Sequence, residues 1–284
     1  MANFNPFRGY YPSPENAGNI AIDSYDNYSE QETKGILQNN PLSFINIIYK
    51  SKTTSIQDFY VQVRQRFNDF LKKKYLLQSS GVTYYIYKKT TGDHEYIGII
   101  GLSDIKDLQS GLIKLHEQTL SKREYVLTQY LKEVKLNSEP IALVYEKKQK
   151  LSSFLQQYIQ NTSSLLHFKD ESTHTLWEVK NKTDIQFIQH EISTIDYLLV
   201  ADGHHRIASS LRNFENNNDA PYFLSILFDH ENVSIEPYSE GGKKYTFKEI
   251  KEITSQNKLL PPKSTWILPK LKTGLVIFDL QNWL

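Results

Sequence analysis

The sequence contains no cysteine, and this absence excludes several classes of chemistry at once. Without thiols the chain cannot form disulfides, thiolate nucleophiles, iron–sulfur clusters or cysteine-based zinc sites. The sequence also lacks an excess of charge of one sign, because 33 Lys and Arg against 32 Asp and Glu leave a formal net charge of +1. Overall electrostatics therefore attract the protein neither to nucleic acid nor to a membrane surface.

Long apolar runs are also missing from the sequence. No run approaches the length needed to cross a bilayer, and residues 1–8 lack the basic and apolar pattern of a signal peptide. The patterns G-x-x-x-x-G-K-[ST], G-x-G-x-x-G and G-x-S-x-G do not occur. These observations predict a soluble cytoplasmic protein with no membrane partner, and they disfavour nucleic acid as a partner.

Aromatic residues are abundant, with 19 Tyr and 14 Phe among 284 residues, which is enough to fill a large core. Strand-type and helix-type segments alternate through the middle of the chain, and this predicts an α/β fold (α+β, with a mixed sheet). Ser29 and Glu32 form the capping-box pattern of one helix, and Ser55 is placed to cap a longer helix that ends near Leu76. The apolar run at residues 44–49 is predicted to be extended.

Two β-hairpins are predicted from pairs of strand-type segments separated by turn residues. The first joins residues 82–88 to residues 96–102 through Thr90-Thr91-Gly92-Asp93. The second joins residues 165–168 to residues 173–179.

The most informative stretch runs from residue 198 to residue 208. An apolar run of strand type ends in Ala201-Asp202-Gly203, and His204-His205-Arg206 follow directly at the start of a predicted helix. The first N–H groups of a helix have no partner within the chain, and the helix dipole favours negative charge there. Arg206 and the two imidazoles would add cationic donors. The pattern predicts a phosphate or nucleotide site, and the alternative is a strand–turn–helix connection with incidental polar residues.

A second polar group is His116-Glu117-Gln118-Thr119, with Lys122 and Arg123 one turn later. A carboxylate at a strand-to-helix junction can act as a general base, which makes Glu117 a candidate. The alternative is a plain helix start, in which Thr119 or Ser121 is the cap and Glu117 interacts with the helix dipole.

No metal site built from protein ligands is predicted. His116-Glu117 lacks the second histidine of the zinc-protease pattern, and adjacent residues such as His204 and His205 rarely point at one ion. The other histidines are interpreted as surface or structural residues; they are His94, His167, His174, His190 and His230.

Several short motifs occur in an order that matches one known family. The more specific ones are Asp202-Gly203-His204-His205-Arg206, and Lys263-Ser264-Thr265 followed by Pro269-Lys270 and Gly274-Leu275-Val276. The weaker ones are Pro6-Phe7-Arg8, Tyr25-Asp26, Asn40-Pro41, Gly111-Leu112-Ile113, His116-Glu117-x-Thr119 and Pro140-Ile141. Together they resemble the domain-of-unknown-function 1015 family nearly from end to end.

That family is similar to proteins of the ParB/sulfiredoxin-like fold, which include the free L-serine kinases. The resemblance implies a single compact unit, 1–284, with a ParB/sulfiredoxin-like nucleotide-binding core at residues 111–230 and flanking helices and hairpins. An N-terminal α/β part would occupy residues 1–110, and an abridged C-terminal part residues 231–284. Residues 234–240 lack the His-Arg pair usual in the family, so the acceptor side of the site is expected to differ.

The resemblance also implies roles for individual residues. Glu117 matches the position expected to deprotonate or orient an acceptor hydroxyl, and Asp202 would hold Mg²⁺, orient a histidine or assist the base. Gly203 would let the backbone approach the phosphates, and His204-His205-Arg206 would bind them. Substrate-binding roles are assigned to His116, Thr119, Arg123, Lys263, Ser264 and Thr265.

The function expected from this resemblance is a small-molecule kinase that transfers a phosphoryl group to a hydroxyl acceptor such as free serine. Its expected cofactors are ATP or ADP with Mg²⁺, and pyrophosphate stays open as a donor. The alternative is a nucleotide-binding regulatory or partner protein without phosphotransferase activity. A homodimer is left open.

Overall fold

The computed structural model of the protein describes residues 1–115, 120–217, 221–237, 246–255, 264–267 and 271–281. The described helices are α1 (Ala17–Ile20), α2 (Glu30–Asn39), α3 (Ile45–Ile48), α4 (Ile56–Lys72), α5 (Ile105–Gln109), α6 (Ser121–Val134), α7 (Gln149–Asn161), α8 (Lys182–Ser193), α9 (His204–Asn217) and α10 (Phe247–Ser255).

The described strands follow the same chain order. They are β1 (Phe4–Asn5), β2 (Tyr10–Pro12), β3 (Leu76–Gln78), β4 (Tyr84–Thr91), β5 (His94–Asp104), β6 (Ile113–Lys114), β7 (Leu136–Asn137), β8 (Ile141–Tyr145), β9 (Leu166–Lys169), β10 (Thr173–Val179), β11 (Leu198–Asp202), β12 (Tyr222–Asp229), β13 (Ser234–Pro237), β14 (Ser264–Ile267) and β15 (Phe278–Asp279).

A nine-stranded mixed sheet organises the described part of the chain. Its order is β6-β11-β8-β12-β5-β4-β10-β9, and β1 pairs with the end of β5. The β6–β11 and β8–β12 pairs are parallel, whereas the other neighbours are antiparallel. The predicted mixed α+β class is therefore confirmed, as are the two predicted hairpins, β4–β5 and β9–β10. Strands from 1–110 and from 111–230 share this sheet, and the division of the chain into three parts stays a prediction.

Both faces of the sheet are buried, and the side chains alternate between two apolar clusters. Tyr85 and Val144 belong to the cluster with Phe7 and the 275–280 segment, while Tyr84 and Leu143 face the cluster covered by α7, α8 and α9. This period of two is the expected pattern of strands, because successive side chains point to opposite faces. The abundance of aromatic residues fills both layers.

A third cluster lies around the N-terminal helices. The apolar stripe of α4, which includes Phe59, Val63 and Phe67, packs there with α1, α3 and Val134 of α6. The predicted caps are present: Ser29 forms a full capping box with Glu32, and Ser55 caps α4. This cluster supports the segments that border the candidate site.

Two predictions in this region are wrong. Residues 44–49 contain the short helix α3, where the Asn46 side chain donates to the carbonyl oxygens of Asn40 and Ser43 and holds the helical turn. A short apolar run has no periodicity that separates strand from helix. Helix α4 ends at Lys72 rather than near Leu76, because Lys74 adopts a left-handed φ of 58° and Leu76 begins β3.

None of the helices in the described ranges is both long enough and apolar enough to cross a membrane.

Candidate functional site

A cavity of about 950 Å³ lies where the β11–α9 connection meets one face of α6. The N-terminal region contributes the Tyr25–Asn27 turn, residues 48 and 50, and Phe59 of α4. Residues 136–139 form another part of the border, and Leu271 and Thr273 come from the C-terminal region. The cavity is thus assembled from segments that are far apart in the sequence.

The floor of the cavity contains the turn between β11 and α9. Gly203 has φ +97°, a conformation that L side chains rarely adopt, and its carbonyl accepts the hydrogen bond from the Ile207 N–H at 2.9 Å. A Cβ atom at this position would lie 3.1 Å from both Arg206 Nε and Ile141 Cγ1. The turn therefore requires glycine, and it opens the first turn of α9 toward the cavity.

Arg206 fixes the shape of this turn. Its Nη1 donates to the carbonyl oxygens of Glu139 at 3.1 Å and Pro140 at 3.0 Å, and its Nη2 donates to Asp202 Oδ2 at 2.5 Å. The Glu139 carboxylate lies 3.3 Å from Nη1. The guanidinium thus joins the start of α9 to the segment before β8, and it lies between two carboxylates that border the cavity.

The two histidines after Gly203 have different environments. His204 is buried, and this burial, helped by the charges of His205 and Arg206, lowers its pKa to about 4. Partial burial, together with the nearby Arg123 charge, also lowers the pKa of His205. Both imidazoles are therefore neutral at pH 7, unlike the cationic donors that the sequence alone suggested. His205 Nδ1 is buried and has no hydrogen-bond partner among the described residues.

Helix α6 forms the opposite side of the cavity. Its N-cap is Leu120, which makes no side-chain cap bond, so Ser121 is not the cap; Thr119, the other cap considered, lies outside the described residues. Arg123 forms an ion pair with Asp26 across the cavity border, and both side chains are more than half exposed. Deeper in, Glu124 is buried and accepts from Arg212 of α9 at 2.8 Å. That contact fixes the two cavity helices relative to one another.

A buried cation supports the C-terminal border of the cavity. Lys272 Nζ lies 2.9 Å from Asp23 and 2.7 Å from Asp170, while the flanking residues Leu271 and Thr273 line the cavity. Burial opposes the charge on Lys272, but the two carboxylates outweigh it and raise the lysine pKa. Lys272 thereby ties the residues before the Tyr25–Asn27 turn to the C-terminal segment.

The structure brings one group of predicted site residues together. Arg123, Asp202, Gly203, His204, His205 and Arg206 all line the cavity. His116, Glu117, Thr119 and Lys263 lie outside the described residues. Ser264 and Thr265 begin β14, whose backbone pairs with β13 at Pro237 and Glu236.

Sequence reasoning missed several residues that border the cavity, above all Asp26, Lys50 and Glu139. Two of them had a signal in the sequence, because Asp26 belongs to the Tyr25-Asp26 motif and Glu139 precedes Pro140-Ile141. Lys50 had none, because only the packing of α3 brings it to the cavity.

Two carboxylates at the cavity could contribute to a divalent-cation site. No group of three or more His, Asp or Glu able to hold a metal occurs among the described residues. Asp202 and Glu139 are oxygen donors of the kind that bind Mg²⁺ jointly with ligand phosphates. Both also interact with Arg206, which balances part of their charge.

Comparison with known proteins gives one match. The sequence matches the family model described as "Protein of unknown function (DUF1015)" over residues 4–239, which is most of the chain and includes Arg123 and the Gly203 turn. The Lys263-Ser264-Thr265 motif lies beyond the matched residues. No curated protein and no solved structure matches the chain significantly. The family expected from the motifs is confirmed, and the chain belongs to the DUF1015 family of proteins of unknown function.

Proposed function

We propose that the protein is a small-molecule kinase that transfers a phosphoryl group from a nucleotide to a hydroxyl acceptor such as free serine. The observation that carries the proposal is the Gly203 turn, which opens the start of α9 into a cavity large enough for two small ligands. Two carboxylates and the exposed cation Arg123 border the same cavity. This combination of anion-binding backbone, carboxylate and cation suits phosphoryl transfer.

The donor phosphates would bind at the Gly203 turn. The first N–H groups of α9 are the donors that a helix leaves without intrahelical partners, and glycine lets a phosphate approach them closely. Arg206 is a positioning residue in this scheme, because its guanidinium already bonds to two carbonyl oxygens and to Asp202. Arg123 pairs with Asp26 at the exposed border of the cavity, and it is a cation placed to meet a phosphate.

The acceptor would be activated by a carboxylate, and the proposal gives this role to Glu117. The flanking described elements support the choice, because β6 runs parallel to β11, with Leu199 opposite Lys114. The C-terminal ends of these two strands therefore point to the same sheet edge, and β11 continues for three residues beyond the end of β6 to the Gly203 turn. Asp202 supplies a carboxylate at the end of β11, with its side chain more than half exposed.

In the proposed reaction the acceptor oxygen forms a bond to phosphorus while the bond from phosphorus to the bridging oxygen of the donor breaks. The acceptor proton passes to the Glu117 carboxylate, and the leaving nucleotide keeps the bridging oxygen with its electron pair. Asp202 and Glu139 would hold Mg²⁺, which would neutralise charge on the phosphates. A core of the ParB/sulfiredoxin-like type, as in the free serine kinases, is part of this proposal.

The test is a phosphorus NMR experiment on the whole protein with Mg²⁺ and ATP, ADP or pyrophosphate, with and without a pool of amino acids. Loss of donor phosphate that depends on the acceptor supports the kinase. Tight nucleotide binding without turnover supports a nucleotide-binding regulatory protein instead. Failure to bind any donor contradicts both functions.

Variants separate the roles of the residues. Glu117→Gln is expected to lower turnover by at least about 100-fold, the lower range for a general base, while nucleotide affinity stays unchanged. Glu171→Gln, in the exposed β9–β10 turn, is the matched control and should leave both turnover and affinity unchanged. If Glu117→Gln kept full turnover, the base would have to be another group, and Asp202→Asn would then be tested in the same assay.

A further inference from the structure

The α6 side of the cavity is an apolar wall that the phosphate chemistry does not use. Arg123, Val126, Leu127, Tyr130 and Leu131 all line the cavity, and their spacing of three and four residues places them on one face of the helix. Only Arg123, at the N-terminal end of this face, is charged. We call Val126, Leu127, Tyr130 and Leu131 the α6 wall.

The α6 wall packs against aromatic residues of α4. The Tyr130 ring centroid lies 6.4 Å from that of Phe59 and 6.3 Å from that of Tyr60, in an edge-to-face arrangement with the latter. Phe59 and Ile48 continue the apolar surface on the N-terminal side of the cavity. The wall is thus a firm surface of apolar and aromatic side chains.

Part of this apolar surface faces water. Val126 is 52% exposed and borders the cavity. The cavity volume of about 950 Å³ is close to the upper end of the roughly 300–1,000 Å³ typical of small-molecule sites. Phosphate or pyrophosphate at the Gly203 turn would be too small to cover the wall. Apolar surface inside a binding cavity favours binding only when an apolar part of a ligand covers it and removes it from water.

We propose that the α6 wall binds the organic body of the phosphate-bearing ligand, a flat ring system such as a nucleobase, while the attached phosphate is held at the Gly203 turn. The inference rests on the proposed function, because it takes a phosphate donor at that turn, and it decides between donor classes. An organic diphosphate is selected over inorganic pyrophosphate. The wall contributes apolar contact and ring packing to ligand binding, and it contributes no charge.

Calorimetric titration of the whole protein with ADP and with pyrophosphate, both with Mg²⁺, tests the inference. ADP is expected to bind at least about tenfold more tightly than pyrophosphate, because covering the wall adds buried apolar area. Val126→Asn should weaken ADP binding about three- to tenfold and leave pyrophosphate binding within about twofold. Val126→Leu keeps an apolar wall and should retain the affinity for ADP.

The matched control is Val61→Asn on the outer surface of α4. Val61 is 56% exposed and does not line the cavity, so this variant makes the same substitution at similar exposure and should bind ADP normally. The thermal midpoint of each variant shows that it is folded, and Leu127→Ala provides a second test of the wall if Val126→Asn does not fold.

The outcomes separate the wall from the phosphate site. Equal affinity for ADP and pyrophosphate, or an equal loss of both in Val126→Asn, overturns the role of the α6 wall and leaves a phosphate site at the Gly203 turn. If neither ADP nor pyrophosphate binds, the proposed function and the role of the α6 wall are both overturned. Tighter ADP binding that is lost only in the wall variants supports both.

Discussion

Helix starts on the outside of the molecule differ from the two helix starts at the cavity. On the outside, side chains accept from the first-turn N–H groups: Ser29 at α2, Ser55 at α4 and Asn181 at α8. At the cavity, α6 begins after Leu120, which makes no such bond, and α9 begins after Gly203, which has no side chain.

At α6 and α9 the residue before the helix supplies no side-chain acceptor for these donors. A capped start is satisfied internally, whereas an uncapped start needs water or a ligand. The lack of a cap is not sufficient by itself, because α7 also begins without a side-chain cap bond. What sets α6 and α9 apart is that first-turn residues of both line one cavity: Arg123 in α6, and His204, His205 and Arg206 in α9. The following predictions test this comparison.

The largest effect is expected from Gly203→Ala. The left-handed backbone and the close contacts of a Cβ atom with Arg206 and Ile141 should lower the free energy of unfolding by about 2–3 kcal/mol and abolish phosphate binding. Gly35→Ala is the matched control inside the capped helix α2, where a Cβ meets nothing within 4 Å. It should change stability by less than about 1 kcal/mol, and in the favourable direction. Urea denaturation measures both, and equal losses would contradict the special role of the turn.

The next effect is a dependence on pH. The His204 pKa is about 4 in the folded protein against 6.5 in its unperturbed state, so the unfolded chain binds the proton more readily. Stability is therefore complete above about pH 6.5 and falls as the pH drops toward 4, by about 2 kcal/mol between pH 7 and pH 5. His204→Gln should flatten this dependence in pH-resolved denaturation curves, although its stability at pH 7 will be lower. An unchanged slope would show that the pKa of His204 is the same in the folded and unfolded states.

A smaller loss is expected when an outer cap is removed. Ser55→Ala deletes the acceptor of the Asp58 N–H at the start of α4 and should cost about 1 kcal/mol. Ligand affinity should be unchanged, because Ser55 does not line the cavity. A loss of ligand affinity that accompanies the loss of stability would mean that the outer caps also control the site.

The smallest effect is a gain of stability at α6. Leu120 already has the extended backbone of an N-cap, with φ −89° and ψ 116°, and its side chain is largely exposed. Leu120→Asp should therefore stabilise the protein by about 0.5–1 kcal/mol, seen as a higher midpoint of thermal unfolding. No gain would indicate that the α6 start is already satisfied by another group.

The local features of the site were predictable from the sequence. Asp202 to Arg206 combine a strand end, a glycine with left-handed backbone and a helix start, and each of these has a signature in neighbouring residues. The capping box of Ser29 and Glu32 is equally local. Such features depend on interactions within a few positions, so a single sequence contains the information needed.

The cavity itself could not be predicted in this way. Lys50, the α6 wall and Thr273 meet only through tertiary packing, and nothing in their own sequence surroundings marks them as neighbours. The neutral state of the histidines could not be predicted from the sequence either, because the pKa of His204 depends on burial rather than on sequence context. Helix α3 is a different case: the Asn46 bonds that hold it reach only to Asn40 and Ser43, but a short apolar run has no periodicity that separates strand from helix.

The bond between Lys272 and Asp23 has a consequence for synthesis on the ribosome. Asp23 is synthesised well before Lys272, yet both are needed to close one border of the cavity. Domains fold as units once their chain is available, so the nascent protein can begin to build its sheet while the cavity is still open on the Leu271–Thr273 side. Binding competence is therefore expected to arise only after Lys272 has been synthesised. A translation-arrested chain that ends before Leu271 would carry the Gly203 turn without a complete cavity.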